Sequence, residues 1–167
     1  SLSEIARAQG RLSGALSHTR KAIELEPGNL IEICIAALIL AAVRRYDEER
    51  IEWRKLRDLQ PASLTRSYQI ALISFQASGS KREVERFFSG LTEAEANSTT
   101  VLRLKRDWAI RTGDLGEYVR LAQATPRPPS MDLALVLAAK GDLPAAREHY
   151  ERALALRGFL GAGGKGR

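Results

Sequence analysis

The side chains in this sequence that could do acid–base, nucleophilic or metal chemistry are few and far apart. His18 and His149 stand near opposite ends of a chain of 167 residues. Neither belongs to a His-x-x-x-His pair, and the single cysteine, Cys34, has no second thiol to make a disulfide or a thiolate metal cluster. There is no Gly-x-Ser-x-Gly turn of the kind that exposes a serine nucleophile. Glu93 and Glu95 lie in a loop-like stretch without the apolar pocket that would raise a carboxyl into its working range. Gly164-Lys165 invites a phosphate-loop reading, which fails because Gly166 stands where Ser or Thr is needed and Phe159 where the first glycine should be. The sequence therefore predicts no catalytic residues, no metal and no cofactor, and a chain that is not an enzyme. What remains is arginine, whose planar fork of donors pairs with carboxylates and carbonyls. Arg66, Arg103 and Arg111 can do this for a bound segment, or can pair with Asp107 and nearby acids on their own surface.

The net charge is +6 and the pI about 9.8, so an acidic partner has to be weighed. The basic residues are interleaved with acids, as in Arg44-Arg45-Tyr46-Asp47-Glu48-Glu49-Arg50. That is the pattern of a solvated helix face laced with weak ion pairs, and it argues against nucleic acid as the partner. Affinity for RNA or an anionic surface would have to fall steeply with salt.

The elements that position these residues are helical. Aromatics are only 6%, the apolar fraction is 44%, and Ala, Leu, Arg and Glu dominate. Leu2 to Gln9 reads as a short helix broken by Gly10, and Arg11 to Leu25 as a second helix closed by Pro27-Gly28-Asn29. From Ile33 to Val43 there are 11 apolar residues in a row, too few to span a bilayer, so Leu30 to Val43 reads as a buried helix. Tyr46 to Leu59 follows and ends before Pro61, with Trp53 as a core wedge. Leu64 to Ala77 packs through Tyr68, Ala71, Leu72 and Phe75. Val84, Phe87, Phe88 and Leu91 give the next helix an apolar stripe. Gly90 to Ser98 reads as a connection, with Asn97 or Ser98 as the cap of a helix from Thr99 to Arg111. Leu115 to about Ala124 is cut short by Pro126-Arg127-Pro128-Pro129. Pro129 to Arg157 is an apolar helix, a Gly141-Asp142 turn and an amphipathic helix, and 158–167 a flexible glycine-rich tail.

The turns recur. Gly10, Arg44, Gly79, Gly113 and Gly141 are spaced by 34, 35, 34 and 28 residues. After the last turn, small or aromatic residues follow at Ala146, Tyr150 and Ala153, and after the first at Ala15 and Ala22. In the second repeat Trp53 takes the place of Tyr150, and Glu49 stands where a small residue is wanted. This chain resembles the tetratricopeptide repeat family, whose 34-residue unit is a pair of antiparallel helices. The resemblance covers residues 1–157. It implies an all-α fold, a right-handed α-solenoid of antiparallel helix pairs with about four to five repeats.

The resemblance also implies where a partner would lie, because the first helix of each pair lines a concave groove in this family. The rows would be Ile31, Cys34, Leu38 and Ala41; then Arg66, Gln69, Ile73 and Gln76; then Thr100, Arg103, Asp107 and Ile110 with Arg111 beside them; then Met131, Leu135 and Ala138. Such a groove is apolar at its ends and polar in the middle. The places that read bases in related RNA-binding repeats hold Cys34, Gln69, Arg103 and Met131, which is no base code. Glu4, Ile35 and Arg66 stand near the places where other members clamp a C-terminal carboxylate with Lys and Asn, so that mode is not expected. The expected partner is another protein, bound as a peptide or helix in a scaffold of a bacterial assembly concerned with secretion, polysaccharide export or regulation. The alternative is a regulatory or self-associating arm of a larger enzyme, with Leu2, Ile5, Leu154 and Leu156 stacking on a further copy. The chain opens at Ser1 and its one methionine is Met131, so it is expected to be a fragment of a larger protein.

Overall fold

Ten helices follow one another through residues 12–124 and 130–162, which the structure, a computed structural model, describes. They are α1 (Leu12–Leu25), α2 (Leu30–Ala42), α3 (Tyr46–Leu59), α4 (Leu64–Ser78), α5 (Arg82–Ser89), α6 (Glu93–Ala96), α7 (Thr99–Thr112), α8 (Leu115–Gln123), α9 (Ser130–Ala139) and α10 (Leu143–Ala162). The described residues contain no strand, and each long helix packs chiefly on its neighbours in sequence. The fold is all-α, made of antiparallel helix pairs. The expected helix from Leu2 to Gln9 and the proline run at 126–129 lie outside the described residues.

The turn chemistry explains the pairs. At the turn positions the backbone of Arg44, Gly79, Gly113 and Gly141 has φ of 59°, 75°, 75° and 85°. This left-handed conformation stops a helix and turns its last carbonyls inward. Three of the four turns close in the same way. The N–H of Arg45, Asp114 and Asp142 donates to the carbonyl five residues back, at Leu40 (2.9 Å), Ala109 (2.8 Å) and Leu137 (3.0 Å). The next residue's task is to start the second helix. Asp114 accepts from the N–H of Glu117 at 2.9 Å and Asp142 from that of Ala145 at 3.2 Å, so a Gly-Asp pair ends one helix and caps the next. Asn29 caps α2 by accepting from Ile31 and Glu32, and Ser98, one of the two expected candidates, caps α7 by accepting from Val101.

The chain forms two compact units, Ser1–Ala96 and Asn97–Arg167. In the first, α2 is apolar all round because it is covered from two sides. Ile35, Ala36, Ile39 and Leu40 pack with Ala15 and Leu16 of α1, while Ile33 and Ala37 join Trp53 and Leu56 of α3 and Ile73 of α4. Trp53 is thus the wedge its spacing predicted. Tyr68, Phe87 and Phe88 then join α4 to α5, with ring centroids 5.3–5.8 Å apart. In the second unit Ala109, Tyr118, Ala122, Leu133, Val136, Leu137 and Ala146 form one core.

Three local expectations change. The connection from Gly90 to Ser98 contains the single-turn helix α6, because Thr92 and Glu95 form a reciprocal cap: Thr92 N–H donates to Glu95 at 2.8 Å and Glu95 N–H to the Thr92 hydroxyl at 3.3 Å. Helix α5 ends at Ser89, so Leu91 lies beyond its stripe. Helix α10 runs on to Ala162, taking in the first half of the expected tail; glycine costs a helix roughly 1 kcal/mol per residue but does not forbid it. The rest of that tail lies outside the described residues.

Candidate partner-binding surface

Five residues after each turn comes a position that is buried wherever it occurs: Ala15, Glu49, Val84, Tyr118 and Ala146. This row is what seats the second helix of a pair on the first. It tolerates an alanine, an aromatic and even a carboxylate, so residue size alone did not reveal it. Glu49 survives there because Trp53, one turn on, donates its indole N–H to the Glu49 carboxylate at 3.1 Å. Four residues further along, Thr19, Trp53 and Ala122 are buried, but Tyr150 is 47% exposed rather than packed as the repeat spacing predicted. Its counterparts are covered by a following helix, whereas among the described residues none follows α10.

With the second helices seated, the first helices present their other side to solvent. In the first unit Ile31 and Leu38 of α2 are 69% and 45% exposed, and Cys34 between them is half-buried against the core of α2, α3 and α4. On α4, Arg66, Gln69 and Gln76 are half-buried. Ile73, expected in the same row, is fully buried beside Trp53, Ile33 and Ala37 and cannot meet a partner. It packs on Trp53 and Leu56 of α3 instead of facing solvent, so the groove expected from spacing loses this place. In the second unit Arg103 and Ile110 of α7 and Leu135 of α9 are exposed, while Asp107 and Met131 are half-buried. The candidate residues therefore fall into two sets, one on each unit.

The arginines differ in what already holds them. Arg66 lies over the Trp53 ring at 5.5 Å from its centroid, a cation–π contact made across two helices that no sequence spacing announces. Arg111 donates to Asp107 at 2.7 Å, one helical turn back, which is the intramolecular pairing weighed against partner binding. The same pairing runs along the other charged faces: Lys55–Glu52, Arg86–Glu83, Arg120–Glu117, Arg147–Glu151 and Arg152–Glu148 all lie three or four residues apart. Each such exposed pair is weak, held in high dielectric and screened by salt, but together they offset part of the basic surface. Two of the acids sit below the usual carboxylate range because of a cation: the Arg45 guanidinium, and then Arg20, lower Glu48, and Arg120 lowers Glu117. Glu95 is lowered by the Thr92 backbone N–H.

The described residues offer no cluster of three His, Cys, Asp or Glu that could hold a metal ion, and no helix long and apolar enough to cross a membrane. His18 lies exposed on α1 and His149 half-buried on α10, in different units.

No family profile matches the sequence, and no curated protein matches it. Solved structures do. A crystal structure of MamA matches with a TM-score of 0.53 at 15% identity, covering 97% of this chain and 98% of that one. A double mutant of MamA RS-1 matches at 0.51 and 16% identity over 95% and 92%. MamA from residue 41 to its end, from Desulfovibrio magneticus RS-1, matches at 0.51 and 17% over 93% and 91%. At these identities the likeness is one of fold.

Proposed function

We propose that this chain is a non-catalytic interaction scaffold of the tetratricopeptide kind, whose first-helix faces bind a segment of another protein within a bacterial multiprotein assembly. One observation carries the reading. Large apolar side chains stand in solvent on the first helices: Ile31 and Leu38 in one unit, Ile110 and Leu135 in the other, at 45–69% exposure, with Leu38 and Leu135 each six residues before its turn. Single exposed leucines are ordinary, but Leu38 and Leu135 recur at one register, on helices of the kind that line a groove in the tetratricopeptide family, and this supports the reading. Half-buried Arg66 and Gln69 beside the first pair supply polar contacts that would fix the orientation of a bound helix.

A displayed library of short peptides tests this. Peptides selected on the unaltered protein are expected to lose at least about tenfold in affinity for Leu38→Glu or Leu135→Glu, as buried anchors do. The control Arg54→Glu, on the exposed side of α3, should leave capture unchanged. Undiminished capture by both leucine variants would remove the reading.

A second reading, the self-associating arm, is favoured by the apolar groups that α10 leaves exposed, Leu143 at its start and Tyr150 and Leu154 further along.

A further inference from the structure

We propose that the first unit carries a separate pocket for an apolar side chain flanked by a carboxylate, on a segment of a partner protein. It is a cleft of about 220 Å³ between α3, α4 and α5, floored by Ile70, Ala71 and Phe87 and rimmed by Arg50, Arg86 and Glu83. It does not depend on the first-helix faces: on α4 it uses Ser67, Ile70 and Ala71, not Arg66, Gln69 and Gln76.

Three features fit that occupant. The floor is rigid, because Phe87 is locked into the ring cluster with Tyr68 and Phe88 at 5.8 and 5.3 Å, so an entering side chain meets a preformed wall. The volume is ample for one aliphatic side chain. The rim is electrically incomplete. Arg86 is satisfied by Glu83 at 2.8 Å, but the guanidinium of Arg50, half-buried beside the apolar floor, makes no ion pair or hydrogen bond with another described residue. A partly desolvated guanidinium at the edge of an apolar cleft is best completed by a carboxylate, which accepts from its fork while the neighbouring side chain fills the floor.

The test uses the whole chain and capped tetrapeptides in which leucine is followed by glutamate, glutamine or lysine, titrated while amide and arginine Nε resonances are followed. The glutamate peptide is expected to shift Arg50 and Phe87 and to bind about fivefold more tightly than the glutamine peptide, with the lysine peptide weaker still. In Arg50→Gln the glutamate preference should vanish while leucine-dependent shifts at Phe87 persist. Equal binding of the three peptides to the unaltered protein overturns the proposal. So do shifts confined to Leu38 and Arg66, which would leave the first-helix faces as the site, and phosphate ion competing as well as the glutamate peptide, which would make Arg50 a simple anion contact.

Discussion

Arg44 holds at φ 59° a place that glycine holds in the three later turns, and it is the one non-glycine residue with positive φ among those described. A side chain there costs about 1–2 kcal/mol against the left-handed backbone, and glycine returns part of that through its greater freedom when unfolded. Arg44→Gly is therefore expected to stabilise the first unit by about 0.5–1 kcal/mol, read as a higher denaturant midpoint with unchanged slope. An unchanged or lower midpoint would mean that the turn is not under strain. Tyr118 makes a second prediction. Burial, and then the nearby Asp132 charge, push its hydroxyl above the ordinary tyrosine value of about 10. The folded state thus favours the neutral phenol, so its contribution is complete below pH 10 and lost as pH rises through the folded value. Alkaline unfolding of the second unit should begin near pH 10, and Tyr118→Phe should move its onset upward.

At the scale of elements, each pair depends on one buried position in the second helix. Ala146 sits in the core with Tyr118, Leu133 and Val136, where an arginine has neither room nor a counter-ion. Ala146→Arg should destabilise the α9–α10 pair by about 3 kcal/mol or more. Since repeats are stabilised mainly by their nearest neighbours, amide exchange should rise first in α9 and α10 while α2 and α3 stay protected. Uniform loss of protection would mean that the two units unfold as one. Helix boundaries were legible because their signals are local: Asn29, Ser98, Asp114 and Asp142 cap with their own side chains, and glycine marks three of the four described turns. The apolar stripe of α5 was legible for the same reason. The single-turn α6 is not legible in this way, because its Thr92–Glu95 cap lies in a stretch whose Thr, Glu, Asn and Ser composition is that of a loop.

For the whole molecule, the net charge of +6 is spread over helix faces already laced with acids, and α10 leaves Leu143, Tyr150 and Leu154 in solvent. Size-exclusion with light scattering at two concentrations and two salt levels separates the two proposed uses of the chain. A monomer at every concentration turns attention to the first-helix faces. A dimer that persists at high salt, and that Tyr150→Glu and Leu154→Glu dissolve, would make another copy of the chain its first partner, because apolar contact is insensitive to screening.

Helix propensity, caps and the 34-residue period are properties of short stretches, so the order of amino acids alone specifies a helical chain, its pairing of helices, the four described turns and the Trp53 wedge. Which side of a first helix stays free depends on packing across the chain. Ile73 and Leu38 hold the same register in their repeats, yet one is fully buried and the other 45% exposed, because the bulk of Trp53 covers one and not the other. The stacking of Arg66 on Trp53 and the cleft at Arg50 likewise depend on helices brought together across the chain. No periodicity within a single helix encodes such a meeting.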